Sequence, residues 1–375
     1  MTEFLYIHFP FCIKKCIYCD FLSVPYDKSL ASKYIDALCL ELRMRKHSVS
    51  KLKAIYIGGG TPSLLPVERF KHLFECVRNN FCWSPSIEIT VEANPGTISE
   101  SNVNELVSLG VNRMSIGVQS FNDAELKTLG RVHSSEDAER AIHTVKNAGV
   151  RNLSLDLIYG IPGQTIETWK ASASEAVAFS PCHISSYELT PEKNTPLYKS
   201  IETHQIKMPD EELVLEMYAH AIQYFTNNGF EHYEISNFAL PEFRCIHNLN
   251  YWERGEYIGA GAGAHSFIND VRSRNTQDIH QYIEMLNMGL IPEVESTKID
   301  KADAIKEFLF LGLRKTEGIS LAQAEDFGLN IPDACTELIE EDYLRIKNKN
   351  LRLTKKGLPV SNSVIVSLFE KLEIR

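Results

Sequence analysis

The sequence lacks the features that mark several large classes of protein. No apolar run approaches the ~20 residues that a membrane-spanning helix needs. The opening residues, Met1-Thr2-Glu3-Phe4-Leu5, carry no basic stretch and no cleavable apolar region, so secretion is not expected. Basic residues are the minority: 39 Lys and Arg stand against 49 Asp and Glu, a net charge of −10. That balance argues against wholesale capture of a nucleic-acid backbone. No His-Glu-x-x-His or nucleophile-elbow pattern appears. Cysteine is present, but nine is an odd count, and an exported disulfide framework would be expected to pair them all. The expectation is a cytosolic chain, and its 375 residues suffice to bury a large core without staples.

What is there begins with the cysteines. Cys12, Cys16 and Cys19 fall within eight residues, where an even scatter would put ~0.2 of one. The other six are dispersed through apolar or helical surroundings and read as small buried hydrophobes or incidental thiols.

From residue 4 to about 240, short β-rich runs alternate with amphipathic segments. The runs Phe4–His8, Ala54–Ile57, Ile87–Glu92, Arg113–Val118, Leu153–Ile158, His183–Leu189 and His232–Ile235 read as strands. Leu30–Arg45, Val67–Arg78, Ser134–Asn147, Ile166–Ala178 and Asp210–Thr226 read as helices. Strand–helix alternation implies parallel strands with helical crossovers. Six or seven such units suit a partial or near-complete parallel β/α barrel. In Ile87-Glu88-Ile89-Thr90-Val91-Glu92, Met114-Ser115-Ile116-Gly117-Val118-Gln119 and Leu153-Ser154-Leu155-Asp156-Leu157, apolar residues alternate with polar ones. Parallel strands buried on both faces should instead read as continuous apolar runs. One face is therefore expected under the helices and the other around a hydrated or ligand-filled lumen. The Cys loop, Gly58-Gly59-Gly60-Thr61-Pro62, Glu92, Gln119, Asp156 and Glu188 all fall at or beyond strand C-terminal ends. That is the face where such barrels place their chemistry.

After about residue 240 the alternation stops. Residues 241–300 read as an irregular aromatic- and Gly-rich segment. Residues 301–375 read as a small, mostly helical, winged-helix-like domain with a hairpin-like basic turn at Leu351–Gly357 and a last helix Val364–Lys371. Its acidic neighbour, Glu337–Asp342, favours packing or a lid over DNA binding.

Three thiolates on one short loop can hold three corners of an iron–sulfur cube and leave the fourth iron open. Zinc is the competing reading; a closed zinc site needs a fourth donor, for which His8 is the candidate. The stretch Tyr6-Ile7-His8-Phe9-Pro10-Phe11-Cys12 with the C-x3-C-x2-C spacing resembles the radical SAM superfamily. Gly58-Gly59-Gly60-Thr61-Pro62, Glu92-Ala93-Asn94-Pro95, Gly117-Val118-Gln119-Ser120 and Asp156-Leu157-Ile158-Tyr159-Gly160 narrow it to the coproporphyrinogen-oxidase-like branch.

The resemblance implies a [4Fe-4S] cluster on Cys12, Cys16 and Cys19 whose open iron chelates S-adenosylmethionine for reductive cleavage. Tyr6 and Glu92 would contact that molecule, and Gly59, Gly60 and Thr61 would cradle its amino-acid end through close-approaching backbone N–H groups. Gln119, Arg131 and Asp156, with Tyr18, match positions that hold a second S-adenosylmethionine in the oxidase. No catalytic residue is assigned.

Two features separate the chain from the oxidase. Phe21 stands where the oxidase has a further cysteine, and the Tyr-x-His-x-Pro motif begins at residue 6 without a long extension. Both match the heme-chaperone subgroup of the branch, as does His247-Asn248-Leu249-Asn250-Tyr251-Trp252. The implied cargo is heme, with His247 the first candidate ligand, since imidazole is a common axial ligand and Tyr and Trp can stack on a porphyrin. The implied partners are apo-heme-proteins of respiratory or storage type, with peripheral contact to membrane heme enzymes compatible and nucleic acid excluded. The alternative is an oxygen-independent coproporphyrinogen III oxidase; a radical SAM methyltransferase or nucleic-acid modifier would need a basic groove that the charge does not suggest. Gly259-Ala260-Gly261-Ala262-Gly263-Ala264 formally matches a dinucleotide fingerprint but opens into no obvious helix. It reads as a close-approach segment near the barrel mouth, against cofactor or porphyrin.

Overall fold

Six parallel strands come first in the computed structural model, which describes residues 1–372. They are β1 (Thr2–Phe9), β2 (Val49–Gly59), β3 (Cys82–Ala93), β4 (Arg113–Gln119), β5 (Asn152–Tyr159) and β6 (His183–Glu188), each paired in parallel with the next. The crossovers carry α1 (Lys28–Arg45), α2 (Val67–Asn80), α3 (Glu100–Ser108), α4 (Asp123–Thr128), α5 (Ser135–Asn147) and α6 (Ile166–Ala178). After α7 (Pro196–Glu202) and α8 (Glu211–Asn227) come β7 (Glu231–Glu234), β8 (Asn237–Ala239), α9 (Ile246–Trp252) and β9 (Ile258–Ala260). The sheet runs β9-β1-β2-β3-β4-β5-β6-β8-β7. Its two ends, β9 and β7, are not paired with each other, so the barrel is partial.

Local chemistry explains the helix limits. Asp27 caps α1 by accepting from the Leu30 amide at 2.7 Å, and Ser134 with Asp137 forms a reciprocal capping box at α5. Along α5, Ala138, Ala141, Ile142 and Val145 are the buried positions, a spacing of three and four residues that turns one stripe to the sheet. The helix-facing strand residues are equally dry: Leu5, Val91, Ile116 and Leu155 have no exposed surface.

The region expected to be irregular is not. Residues 241–300 contribute α9, then β9 as a parallel neighbour of β1, and a three-stranded antiparallel sheet (His265–Ile268, Val271–Asn275, Glu293–Lys298) with the helix Ile279–Asn287. Every side chain of Glu293–Lys298 is exposed, so no inward-facing apolar residue betrays it as a strand. The Gly259–Ala264 run does approach other backbone closely, but that of its own chain. A Cβ at Gly261 would stand 2.5 Å from the Tyr34 hydroxyl and 2.7 Å from the His8 carbonyl.

Beyond Lys301, helices surround a small antiparallel sheet of Ile319–Ser320, Asn350–Leu353 and Leu344–Lys347, the expected winged-helix-like arrangement. Its hairpin turns at Asn348 and Lys349, both at positive φ, and not at the Lys355-Lys356-Gly357 stretch. The last helix starts at Ser361, three residues before the expected start. Among the described residues, no helix is long and apolar enough to cross a membrane.

A candidate cofactor site at the barrel mouth

A cavity of about 510 Å³ opens at the C-terminal ends of the parallel strands. Its wall joins the loop after β1, the Gly59–Thr61 turn after β2, and the ends of β3 to β6. Eleven of the thirteen residues expected to hold cluster, S-adenosylmethionine or heme line it: Cys12, Cys16, Tyr18, Cys19, Gly59, Gly60, Thr61, Glu92, Gln119, Arg131 and Asp156. Tyr6 and His247 do not.

The cysteine loop is tied at several points. Thr61 Oγ1 donates to Cys12 Sγ at 3.5 Å, and Arg131 Nη1 donates to Cys16 Sγ at 3.4 Å. The Cys19 amide donates to the Cys16 carbonyl at 3.3 Å. Burial, and then the neighbouring thiols, push the Cys19 thiol up to about 11, while the Phe21 amide pulls it back. Among the described residues, no three His, Cys, Asp or Glu side chains are placed to hold a metal ion. The fit to a cluster therefore rests on the donor set itself: three thiols on one loop at a cavity wall, two of them already receiving hydrogen bonds. His8 is not a free fourth donor. Its Nδ1 meets the Tyr6 hydroxyl at 2.9 Å and its Nε2 the Leu22 carbonyl at 3.0 Å.

The glycine turn departs from the expected cradle. The Gly59 amide donates to Glu92 Oε2 at 3.1 Å, the Gly60 amide to the Phe9 carbonyl and the Thr61 amide to the Phe11 carbonyl, both at 2.8 Å. All three amides are thus engaged within the protein. What glycine supplies here is space: a Cβ at Gly60 would stand 2.5 Å from the Phe11 carbonyl, and at Gly58 2.8 Å from the Glu92 carboxyl.

Two carboxylates face the cavity. Glu92 accepts from Tyr56 at 2.7 Å as well as from Gly59, and Asp156 accepts from Ser115 Oγ at 3.0 Å. Burial raises the pKa of each, and the hydrogen bonds from Tyr56 to Glu92 and from Ser185 and Ser115 to Asp156 oppose the rise. Such carboxylates favour a cationic partner, because it supplies the charge compensation that water no longer gives. Gln119 sits at φ +69°, where a non-glycine side chain is strained, and a Cβ on Gly117 would meet its Nε2 at 2.8 Å.

The sequence reading missed Tyr56, Arg113 and Ser185. Tyr56 and Arg113 stand in the alternating runs Tyr56-Ile57-Gly58 and Arg113-Met114-Ser115, so their luminal direction was available. Arg113 is 1% exposed, with Nε and Nη1 unpartnered. It lies below the mouth, near Glu88 and Cys245; burial opposes its charge, and the neighbouring acidic groups hold the guanidinium protonated.

His247 lies deeper still. Its ring stacks on Tyr56 with centroids 5.2 Å apart and meets Tyr251 edge-on, and its Nε2 pairs with the Tyr251 hydroxyl at 2.9 Å. It is 1% exposed, its Nδ1 has no partner, and burial with the nearby Arg113 lowers its pKa to about 3. Tyr6 belongs to the same aromatic layer, 6.2 Å from Tyr56 and 6.4 Å from His247 between centroids. Within the motif, Asn248 reaches the cavity. None of Gly259–Ala264 and no described residue of the C-terminal domain lines the wall, so of the two roles expected of that domain, packing or a lid, the lid is not formed over this cavity. Four of the six dispersed cysteines are buried, Cys182 is half-buried and Cys82 is exposed.

Fold and site together define a radical SAM protein: residues 6–176 match the Radical SAM superfamily, and 299–360 match the HemN C-terminal domain. The chain aligns over 97% of its length with the structure of coproporphyrinogen III oxidase (HemN) from Escherichia coli, covering 89% of that chain with a TM-score of 0.84 at 22% identity, a likeness of fold. Within the HemN-like branch it belongs to the HemW family. It is 34% identical to the heme chaperone HemW of Lactococcus lactis, over 98% of this chain and 96% of that one. It is also 34% identical to that of Bacillus subtilis, over 98% and 99%. To the Escherichia coli HemW it is 40% identical over 70% of this chain and 69% of that one.

Proposed function

We propose that this chain is a cytosolic heme chaperone that carries a [4Fe-4S] cluster with S-adenosylmethionine and passes heme to apo-heme-proteins, respiratory enzymes among them. The observation that carries the reading is the meeting of Cys12, Cys16 and Cys19 with Glu92 and Thr61 around one cavity, in a chain whose full-length relatives are named heme chaperones.

Cys12, Cys16 and Cys19 would hold three irons, with Thr61 and Arg131 supporting the thiolates. When bound, the cluster supplies a low-potential electron to the sulfonium of S-adenosylmethionine. Glu92, aligned by Tyr56 and Gly59, would accept from the amino group of that molecule. Gln119 and Asp156 shape the opposite wall. Heme is cargo, and His247 is the imidazole assigned to it. His247 is buried against Tyr56 and Tyr251, so heme would reach it only once that packing opens.

Two assays on the anaerobically reconstituted chain test this. A Soret shift on adding hemin, with no decarboxylated tetrapyrrole formed from coproporphyrinogen III, dithionite and S-adenosylmethionine, supports the chaperone. Multiple turnovers of coproporphyrinogen III would instead make it the oxidase.

A further inference from the structure

Arg131, which the oxidase pattern gives to a second S-adenosylmethionine, faces a different partner here. Nη1 lies 3.4 Å from Cys16 Sγ, and Nη2 donates to the Gly117 carbonyl at 2.8 Å. Nε is buried without a partner. Among the described residues, no carboxylate lies within ion-pair distance of it. A guanidinium anchored on a backbone carbonyl, with no acid to neutralise it, directs its other terminal N–H at that sulfur.

We propose that Arg131 is a positioning residue that hydrogen-bonds the Cys16 thiolate of the cluster and raises the cluster's reduction potential. The inference rests on the cluster reading given under Proposed function. A cubane with three thiolates gains one negative charge on reduction. A cation donating to a ligand sulfur favours the more negative state, and hydrogen bonds to sulfur are a main determinant of such potentials. The electron comes from an external low-potential donor, and no bond of the chain breaks. Nη2 on Gly117 fixes the guanidinium to β4, so the donor cannot follow the loop if the loop moves.

The test is an EPR-monitored dithionite titration of the reconstituted full chain, wild type against Arg131→Met and Arg131→Lys. At equal iron and sulfide content, Arg131→Met should reduce at least tenfold less favourably, about 59 mV lower for a one-electron couple. Arg131→Lys, which keeps the charge, should shift by less than half as much. A fully loaded Arg131→Met that titrates with the wild type overturns the proposal.

Should that variant fail to load, the wild type decides. With guanidino-15N arginine, pulsed EPR of the reduced cluster should show a 15N coupling that Arg131→Lys lacks, and its absence in the loaded wild type overturns the proposal. A wild type that takes up no iron and sulfide refutes the cluster reading itself, before any variant is compared, and this inference falls with it.

Discussion

The Tyr56 hydroxyl donates to Oε1 of Glu92 at 2.7 Å, so that one carboxylate at the cavity wall is aligned from β2 while it belongs to β3. Burial disfavours the Glu92 charge and Tyr56 partly restores it. Hydrogen bonds to a charged group contribute ~1.5–3 kcal/mol. Tyr56→Phe should therefore weaken S-adenosylmethionine binding to the reconstituted protein by roughly tenfold or more, read by calorimetry. Unchanged affinity would remove Glu92 from the binding wall.

Gly58 and Gly60 stand two residues apart but should fail differently. At Gly60 an added methyl meets the backbone of Phe9 and Phe11, which cannot yield without breaking the β1–β2 register. Gly60→Ala should lose ~1–3 kcal/mol of stability in urea titration. At Gly58 the methyl meets the Glu92 carboxyl, a movable side chain. Gly58→Ala should keep most of its stability and lose ligand affinity.

Asp156 gives a signed pH prediction. Burial raises its folded pKa above the unfolded value, so the folded chain holds that proton more tightly. Its contribution to stability is full below the unfolded carboxylate range of about 3.9 and is lost as pH rises through the folded pKa. Asp156→Asn removes that loss. The variant should have a higher urea midpoint than wild type at pH 8, and the gap should close towards pH 4. A gap that widens on acidification would contradict the assignment.

Glu41 carries the largest structural prediction. Wholly buried, it accepts from Arg45 Nε at 2.7 Å, the Gly261 amide at 2.8 Å and the Tyr282 hydroxyl at 2.6 Å, joining α1 to the chain after β9. Glu41→Ala leaves Arg45 buried without its ion-pair partner and should cost ~3–5 kcal/mol. Glu41→Gln, which keeps an acceptor, should cost less, as measured by denaturant midpoints.

Much of this was legible in the residues. Thr90, Glu92, Ser115 and Asp156 declared a polar lumen because alternation has one physical meaning in a helix-covered parallel strand. The cysteine spacing and the strand-end positions then placed the mouth. What was not legible depended on contacts distant in sequence. Nothing in Gly59-Gly60-Thr61 says that its amides bond to Glu92, Phe9 and Phe11, and this emerges only when β1, β2 and β3 are in register. His247 looked like an accessible ligand because aromatic neighbours suggest a porphyrin face. Of those neighbours Tyr251 instead pairs with it, and Tyr56, distant in sequence, stacks on it and helps bury it. The strand Glu293–Lys298 escaped notice because an exposed edge strand needs no apolar pattern.

The most direct measurement is a hemin titration of the anaerobically reconstituted chain, followed at the Soret band, for wild type and His247→Ala. The account predicts a saturable band that reaches its plateau near one heme per chain in the wild type and is weakened or shifted in His247→Ala. No Soret change at saturating hemin in a protein shown to hold iron and sulfide would contradict it.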